Sequence, residues 1–139
     1  VVFAKEVLAN ADPSKVTILN GMALGWDMAV AEACVDMGIP FVAYVPCRDQ
    51  HKAWKSQFFQ AKYLEILAHA KEVKILSEKY TRDCMQKRNV AMADDADVLI
   101  ALWDGSSGGT ANMVQYWTTK YPGKKWYNRW HGWLAFRWN

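Results

Sequence analysis

The chain has 139 residues, with 17 Lys and Arg against 14 Asp and Glu, a net charge of +3. Hydrophobic residues make up 52% and charged residues 22%, a globular balance that excludes a disordered chain and fits one domain with its own core. No apolar run reaches the roughly 20 residues of a membrane helix, no signal-peptide pattern opens the chain, and Cys34, Cys47 and Cys84 are too widely spaced for a disulfide framework or a zinc set, so a cytoplasmic protein is expected.

The first segment, 1–10, has apolar residues at helical spacing, and Pro13 prevents its continuation. VTIL (16–19) is a β-branched run that reads as a buried strand. The loop NGMALG (20–25) leads into a helix over 26–37, and Gly38 suits its C-terminal cap. The pattern then repeats. FVAYV (41–45) is a strand ended by Pro46, and 56–70 is a helix with Phe59, Tyr63, Ile66 and Leu67 on one stripe. VKIL (73–76) is a strand and 82–93 a helix. DVLIALW (97–103) is apolar on both faces, as a central parallel strand requires, and DGSSGG (104–109) leads into a helix over 110–120. This alternation predicts the α/β class: a Rossmann-like three-layer sandwich with a mainly parallel sheet and right-handed crossovers. Such domains ordinarily open with a strand, so an upstream strand is expected outside the residues given.

Four of the eight tryptophans (Trp126, Trp130, Trp133, Trp138) fall in the tail, whose residues 124–139 read as two short strands around His131-Gly132. The expected division is a ligand-binding domain over 1–122 and a hairpin-like aromatic extension over 123–139, which closes a sheet edge or a dimer contact. Basic residues cluster from Lys120 to Arg137, but nucleic-acid binding usually shows a denser patch, so neither nucleic acid nor membrane is an expected partner.

In open α/β sheets ligands bind beyond the carboxyl ends of the strands. Two strand-to-helix loops have the composition of phosphate cradles, because glycines let backbone N–H groups approach an anion at a helix N-terminus. The candidate ligand-binding residues are Gly21, Met22, Ala23, Gly25 and Asp27 around the first loop. Around the second they are Asp104, Gly105, Ser106, Ser107, Gly108, Gly109, Thr110 and Asn112. Neither loop is a Walker or GxGxxG motif. Arg88 reads either as a bidentate phosphate contact or as a salt bridge to Asp94 or Asp95. Arg48 reads as a solvated loop arginine or a cleft residue. Cys47 and His51 stand four apart, with nothing in the sequence to make them a nucleophile pair. No metal-ligand spacing is present, and no cofactor or metal is expected. Trp26, Trp54 and Trp103 are expected near the cleft.

The blocks GMALGWDMAVAE (21–32), Pro46-Cys47, MQKRN (85–89) and ADVLIALWDGSSGGTAN (96–112) together resemble the SLOG superfamily, in particular its small bacterial and phage YpsA/YspA-like branch. The resemblance covers about residues 1 to 120. It implies a Rossmann-like fold, a nucleotide or nucleotide-derived ligand such as ADP-ribose or a nucleoside monophosphate, and self-association as a homodimer. That branch carries an upstream strand with a Gly-His-Arg motif, which this sequence lacks. The related lonely-guy phosphoribohydrolases cleave N-glycosidic bonds with a glutamate shortly after the glycine-threonine turn. Here Asn112, Met113 and Val114 follow Thr110-Ala111. A glycosidase needs a carboxylate to stabilise its oxocarbenium-like transition state, which leaves Asp104 or Glu32 as catalytic candidates. Asp27 and Glu32 lie about 140° apart on their helix and do not form a pair. Ligand binding is therefore the expected function. An N-glycosidase and a protein-interaction module whose loops are only turns are the alternatives.

Overall fold

A computed structural model describes residues 2–130. Its elements run α1 (Val2–Val7), β1 (Ile18–Asn20), α2 (Trp26–Met37), β2 (Phe41–Val45), a 3-10 turn (Gln50–Ala53), α3 (Gln57–Leu67), β3 (Glu72–Ile75), α4 (Cys84–Asp95), β4 (Leu99–Ala101), α5 (Gly109–Lys120) and β5 (Trp126–Asn128). The protein is α/β, and every strand pair among the described residues is parallel. Among the described residues no helix is long and apolar enough to cross a membrane.

The apolar run FVAYV becomes the middle strand of a three-stranded sheet ordered β1-β2-β3, with Ile18 opposite Phe41 and Val42 opposite Glu72. All five residues of β2 are buried, as two neighbours and two covered faces demand. Small residues on α2 (Ala31, Ala33, Cys34) let that helix sit close to the sheet, where they join Phe41, Val45 and Ile39 in one core. Gly38 ends α2 at φ 68°, and its N–H turns back to the helix carbonyls. Ser56 caps α3 by accepting a hydrogen bond from the Phe59 N–H at 3.2 Å. Tyr63 and Ile66 of the expected stripe are buried, whereas Phe59 is exposed beside Phe58.

The segment 97–103 behaves differently from its sequence reading. β4 has only three residues, of which only Ala101 is fully buried, and it pairs with β5 alone in a separate two-stranded ladder. Among the described residues the other edge of β4 and the outer edge of β1 carry no strand. Hydrophobicity on both faces marks a strand bound for burial but does not say which strand gains two partners. In the tail, Trp126–Asn128 forms β5, with Leu99 opposite Trp126 in parallel register. Those residues therefore extend the α/β unit past its expected end at 122. The second half of the expected hairpin lies outside the described residues.

A second core of Ala93, Met113 and Trp117 joins α4 to α5. At its edge one carboxylate oxygen of Asp94 accepts from the hydroxyls of Tyr121 at 2.7 Å and Tyr116 at 2.8 Å and from the Lys120 ammonium at 3.2 Å. These donors, Tyr121 foremost, hold the Asp94 carboxyl below its ordinary value. A depressed carboxyl adds stability above its unfolded pKa and loses it as pH falls through the folded value. Asp94→Asn is therefore expected to lower the urea midpoint at pH 7, with the gap from the parent protein narrower at about pH 3. A gap of equal size at both pH values would show that the charge plays no part.

Candidate functional site

The first loop folds in on itself. Asn20, the buried last residue of β1, accepts from the Met22 N–H at 2.8 Å and donates its carboxamide to the Asp27 carbonyl at 2.8 Å. That clamp holds Met22 at φ 57°, a left-handed conformation uncommon for a residue with a side chain. The Asp27 carboxylate accepts from the Ala23 N–H at 3.3 Å, and Gln50 donates to the Met22 carbonyl at 3.1 Å. The N–H groups of Met22 and Ala23 thus serve the loop itself.

Beneath this loop lies Arg88. Its guanidinium donates to the Gly21 carbonyl at 2.7 Å and to the Asn89 side chain at 3.0 Å. Asn89 in turn donates to the Gly109 carbonyl at 3.2 Å, at the start of α5. Two consecutive residues of α4 therefore tie the first loop to the second. Gly21 permits this: a Cβ there would stand 2.8 Å from an Arg88 nitrogen and 2.9 Å from an Asp27 oxygen. Burial pushes the Asp27 carboxyl above its ordinary value, against the pull of Arg88. Burial likewise lowers Arg88, against the pull of Asp27. Asp27 as a whole residue is only half-buried, but its carboxylate is enclosed by protein.

The second loop stays open. Asp104 makes an Asx turn, accepting from the Ser106 N–H at 2.9 Å and the Ser106 hydroxyl at 2.5 Å. Beyond it, the N–H groups of Ser107, Gly108, Gly109 and Thr110 have no acceptor among the described residues. Gly108 is the N-cap of α5 at φ 145°, with no side-chain cap. An open cleft of about 270 Å³ is lined by Trp103, Asp104, residues 106–110 and Trp130.

The sequence candidates therefore separate. Gly21, Met22, Asp27 and Arg88 form a buried support, and Ser106, Ser107, Gly108, Gly109 and Thr110 face the cleft. Asn112 lines a larger, shallow groove of about 510 Å³ along α4 and α5 instead. Arg88 pairs with neither Asp94 nor Asp95, since Asp95 accepts from Tyr44 at 2.6 Å and Lys74 at 3.5 Å. Glu32 bonds Lys62 at 2.5 Å between α2 and α3, and Arg48 makes an exposed pair with Glu78. Ser106 holds the Asp104 carboxyl below its ordinary value. Cys47 is buried, and burial together with bonds to Asp49 and Cys84 pushes its thiol to about 11. His51 stacks on Tyr63, with ring centroids 4.7 Å apart, and burial lowers its pKa. These two residues do not make an activated nucleophile pair. Among the described residues no group of three His, Cys, Asp or Glu is placed to hold a metal.

Of the tryptophans expected near the cleft, Trp26 packs edge-on against Phe3 and Trp54 against Tyr63, both within the core. Only Trp103 lines the cleft. Trp130, assigned by sequence to a separate tail, joins it there. Asn128 is the residue that sequence reasoning missed. Its side chain donates to the Trp103 carbonyl at 2.9 Å and accepts from the N–H groups of Trp103 and Trp130, each at 3.1 Å. The available signal was its place: like Asn20, it is a carboxamide at the carboxyl end of a strand.

No family model matches the chain. The uncharacterized SPbeta prophage-derived protein YoqJ of Bacillus subtilis (strain 168) is 30% identical over 128 residues, covering 79% of this chain and 74% of that protein. The chain belongs to the YoqJ family. Its architecture accounts for one residue in particular, the glycine under which the Arg88 guanidinium passes. Gly21→Ala is expected to lower stability by about 1–3 kcal/mol through overpacking, read from urea unfolding. An unchanged midpoint would show that Arg88 yields without cost.

Proposed function

We propose that the protein binds a nucleotide or nucleotide-derived ligand, seating its phosphate against the second loop at the N-terminus of α5. The observation that carries this reading is the run of four N–H groups, Ser107 to Thr110, that have no acceptor among the described residues and belong to residues lining a cleft at the carboxyl end of β4. A helix N-terminus carries about half a positive charge, and unpaired N–H groups there bind phosphate oxygens directly. The Ser107 and Thr110 hydroxyls add donors beside them. The SLOG resemblance of residues 96–112 supports the same choice of ligand. The first loop then acts as scaffold, since its Met22 and Ala23 N–H groups already have partners and its Gly21 and Met22 carbonyls are held by Arg88 and Gln50.

The glycosidase reading finds less support. Glu32 is held by Lys62 away from this loop, and one carboxylate oxygen of Asp104 is already taken by the Ser106 N–H and hydroxyl. Asp104 stays a rim residue that excludes anions from its own side of the cleft.

Calorimetry with AMP, ADP-ribose and NAD at millimolar ligand tests the proposal. Gly108→Val forces a β-branched residue into φ 145° without meeting any neighbour, so its effect is on loop conformation alone. This variant is expected to lose about tenfold or more in affinity, ~1.4 kcal/mol, while keeping its circular dichroism spectrum. No binding of any of the three ligands by the parent protein, or unchanged affinity in the variant, would sink the proposal. Release of free base from AMP would instead favour the enzyme.

A further inference from the structure

We infer that Trp103 and Trp130 form the aromatic wall of the cleft and receive a planar heteroaromatic ring, so that the ligand is a mononucleotide recognised chiefly through its base. This inference rests on the phosphate-loop reading above. Three observations carry it. The first is the chemistry of the lining: two indoles stand beside the 106–110 backbone, and among the described residues no lysine or arginine lines the cleft. A phosphate held without a cationic side chain gains less than one gripped by arginine or lysine, so the rest of the ligand must supply affinity. Indole faces do this for any base, whatever its hydrogen-bonding edge.

The second observation is that both indoles are held ready. Trp103 donates its ring N–H to the Ser106 carbonyl at 2.8 Å, which fixes the indole against the phosphate loop. Asn128 continues the β4–β5 ladder with its side chain, gripping the Trp103 backbone on both N–H and carbonyl and then the Trp130 N–H. One carboxamide therefore sets the spacing of both walls. Yet Trp130 is 49% exposed, unlike Trp117 at 0%. A large apolar ring left open at a cleft mouth, on a backbone pinned in place, is arranged for contact rather than for the core.

The third is size. The cleft, about 270 Å³, lies near the lower bound of ligand clefts, about 300 Å³. It fits one nucleotide better than a dinucleotide. Asn128 is a positioning residue in this scheme: it touches the walls and not the ring.

The experiment compares AMP with ribose 5-phosphate, which keeps the phosphate and loses the base, by calorimetry on the full chain. In the parent protein AMP should bind about tenfold or more tighter than ribose 5-phosphate. Trp130→Ala should erase most of that difference while leaving ribose 5-phosphate within about twofold, and Trp130→Phe should restore AMP binding. Asn128→Ala should weaken AMP selectively, with an unchanged far-ultraviolet spectrum. Equal affinity of the parent for the two ligands overturns the aromatic wall but leaves the phosphate loop standing. So does an AMP affinity that Trp130→Ala does not change. Equal loss of both ligands in Trp130→Ala assigns Trp130 a structural role and also overturns the inference. If the parent binds neither ligand, the phosphate-loop reading itself fails.

Discussion

Arg88 and Asn89 are the hinge on which the arrangement turns. The guanidinium reaches the Gly21 carbonyl and the carboxamide reaches the Gly109 carbonyl, so adjacent side chains on α4 span the ends of two strands in different ladders. No backbone hydrogen bond joins β1 to β4 among the described residues. The two carboxyl-end loops are thus related through α4, by side chains that are buried and mutually bonded. A buried arginine is tolerated only with acceptors close by and an opposite charge near it. Gly21, Asn89 and the enclosed Asp27 carboxylate meet that demand.

This constraint gives the two glycine loops unequal roles. The first is closed by Asn20, Asp27 and Gln50, which take its Met22 and Ala23 N–H groups and its Met22 carbonyl. The second has only the Asp104 turn at its start, and the next four N–H groups have no acceptor among the described residues. Composition makes the loops look alike because glycine spacing reports only where the backbone turns sharply. Which loop has donors to offer depends on whether polar side chains from elsewhere have reached them. Asn20 and Asp27 take the Met22 and Ala23 N–H groups of the first, while Asn89 meets the second at the Gly109 carbonyl.

Much of the fold was legible. The helix over 26–37 with its Gly38 cap and the strand over 41–45 stand where residue patterning puts them, and the other elements agree within a few residues. The candidate site was legible as a set of residues and not as an arrangement. Arg88 looked like a ligand contact because arginine so often grips phosphate. Its burial, and the partner carbonyl 67 residues away, are properties of the packed chain. Asn112 looked like part of the second loop by adjacency, but its position on α5 turns it toward the groove with Tyr116. Asn128 and Trp130 were invisible as site residues, because nothing local says that β5 runs parallel beside β4 and delivers them to its carboxyl end.

Composition and periodicity by themselves therefore determined the class of structure: alternating strands and helices, a mainly parallel sheet, with glycine turns at the carboxyl ends of strands. Those features follow from local preference and from the need of each apolar face to be covered. Tertiary structure alone decided which strand became central, which side chains tie the two loops together, and which of the described tryptophans line a cleft rather than a core. These depend on contacts between residues far apart in the chain, and such contacts form only when whole elements pack.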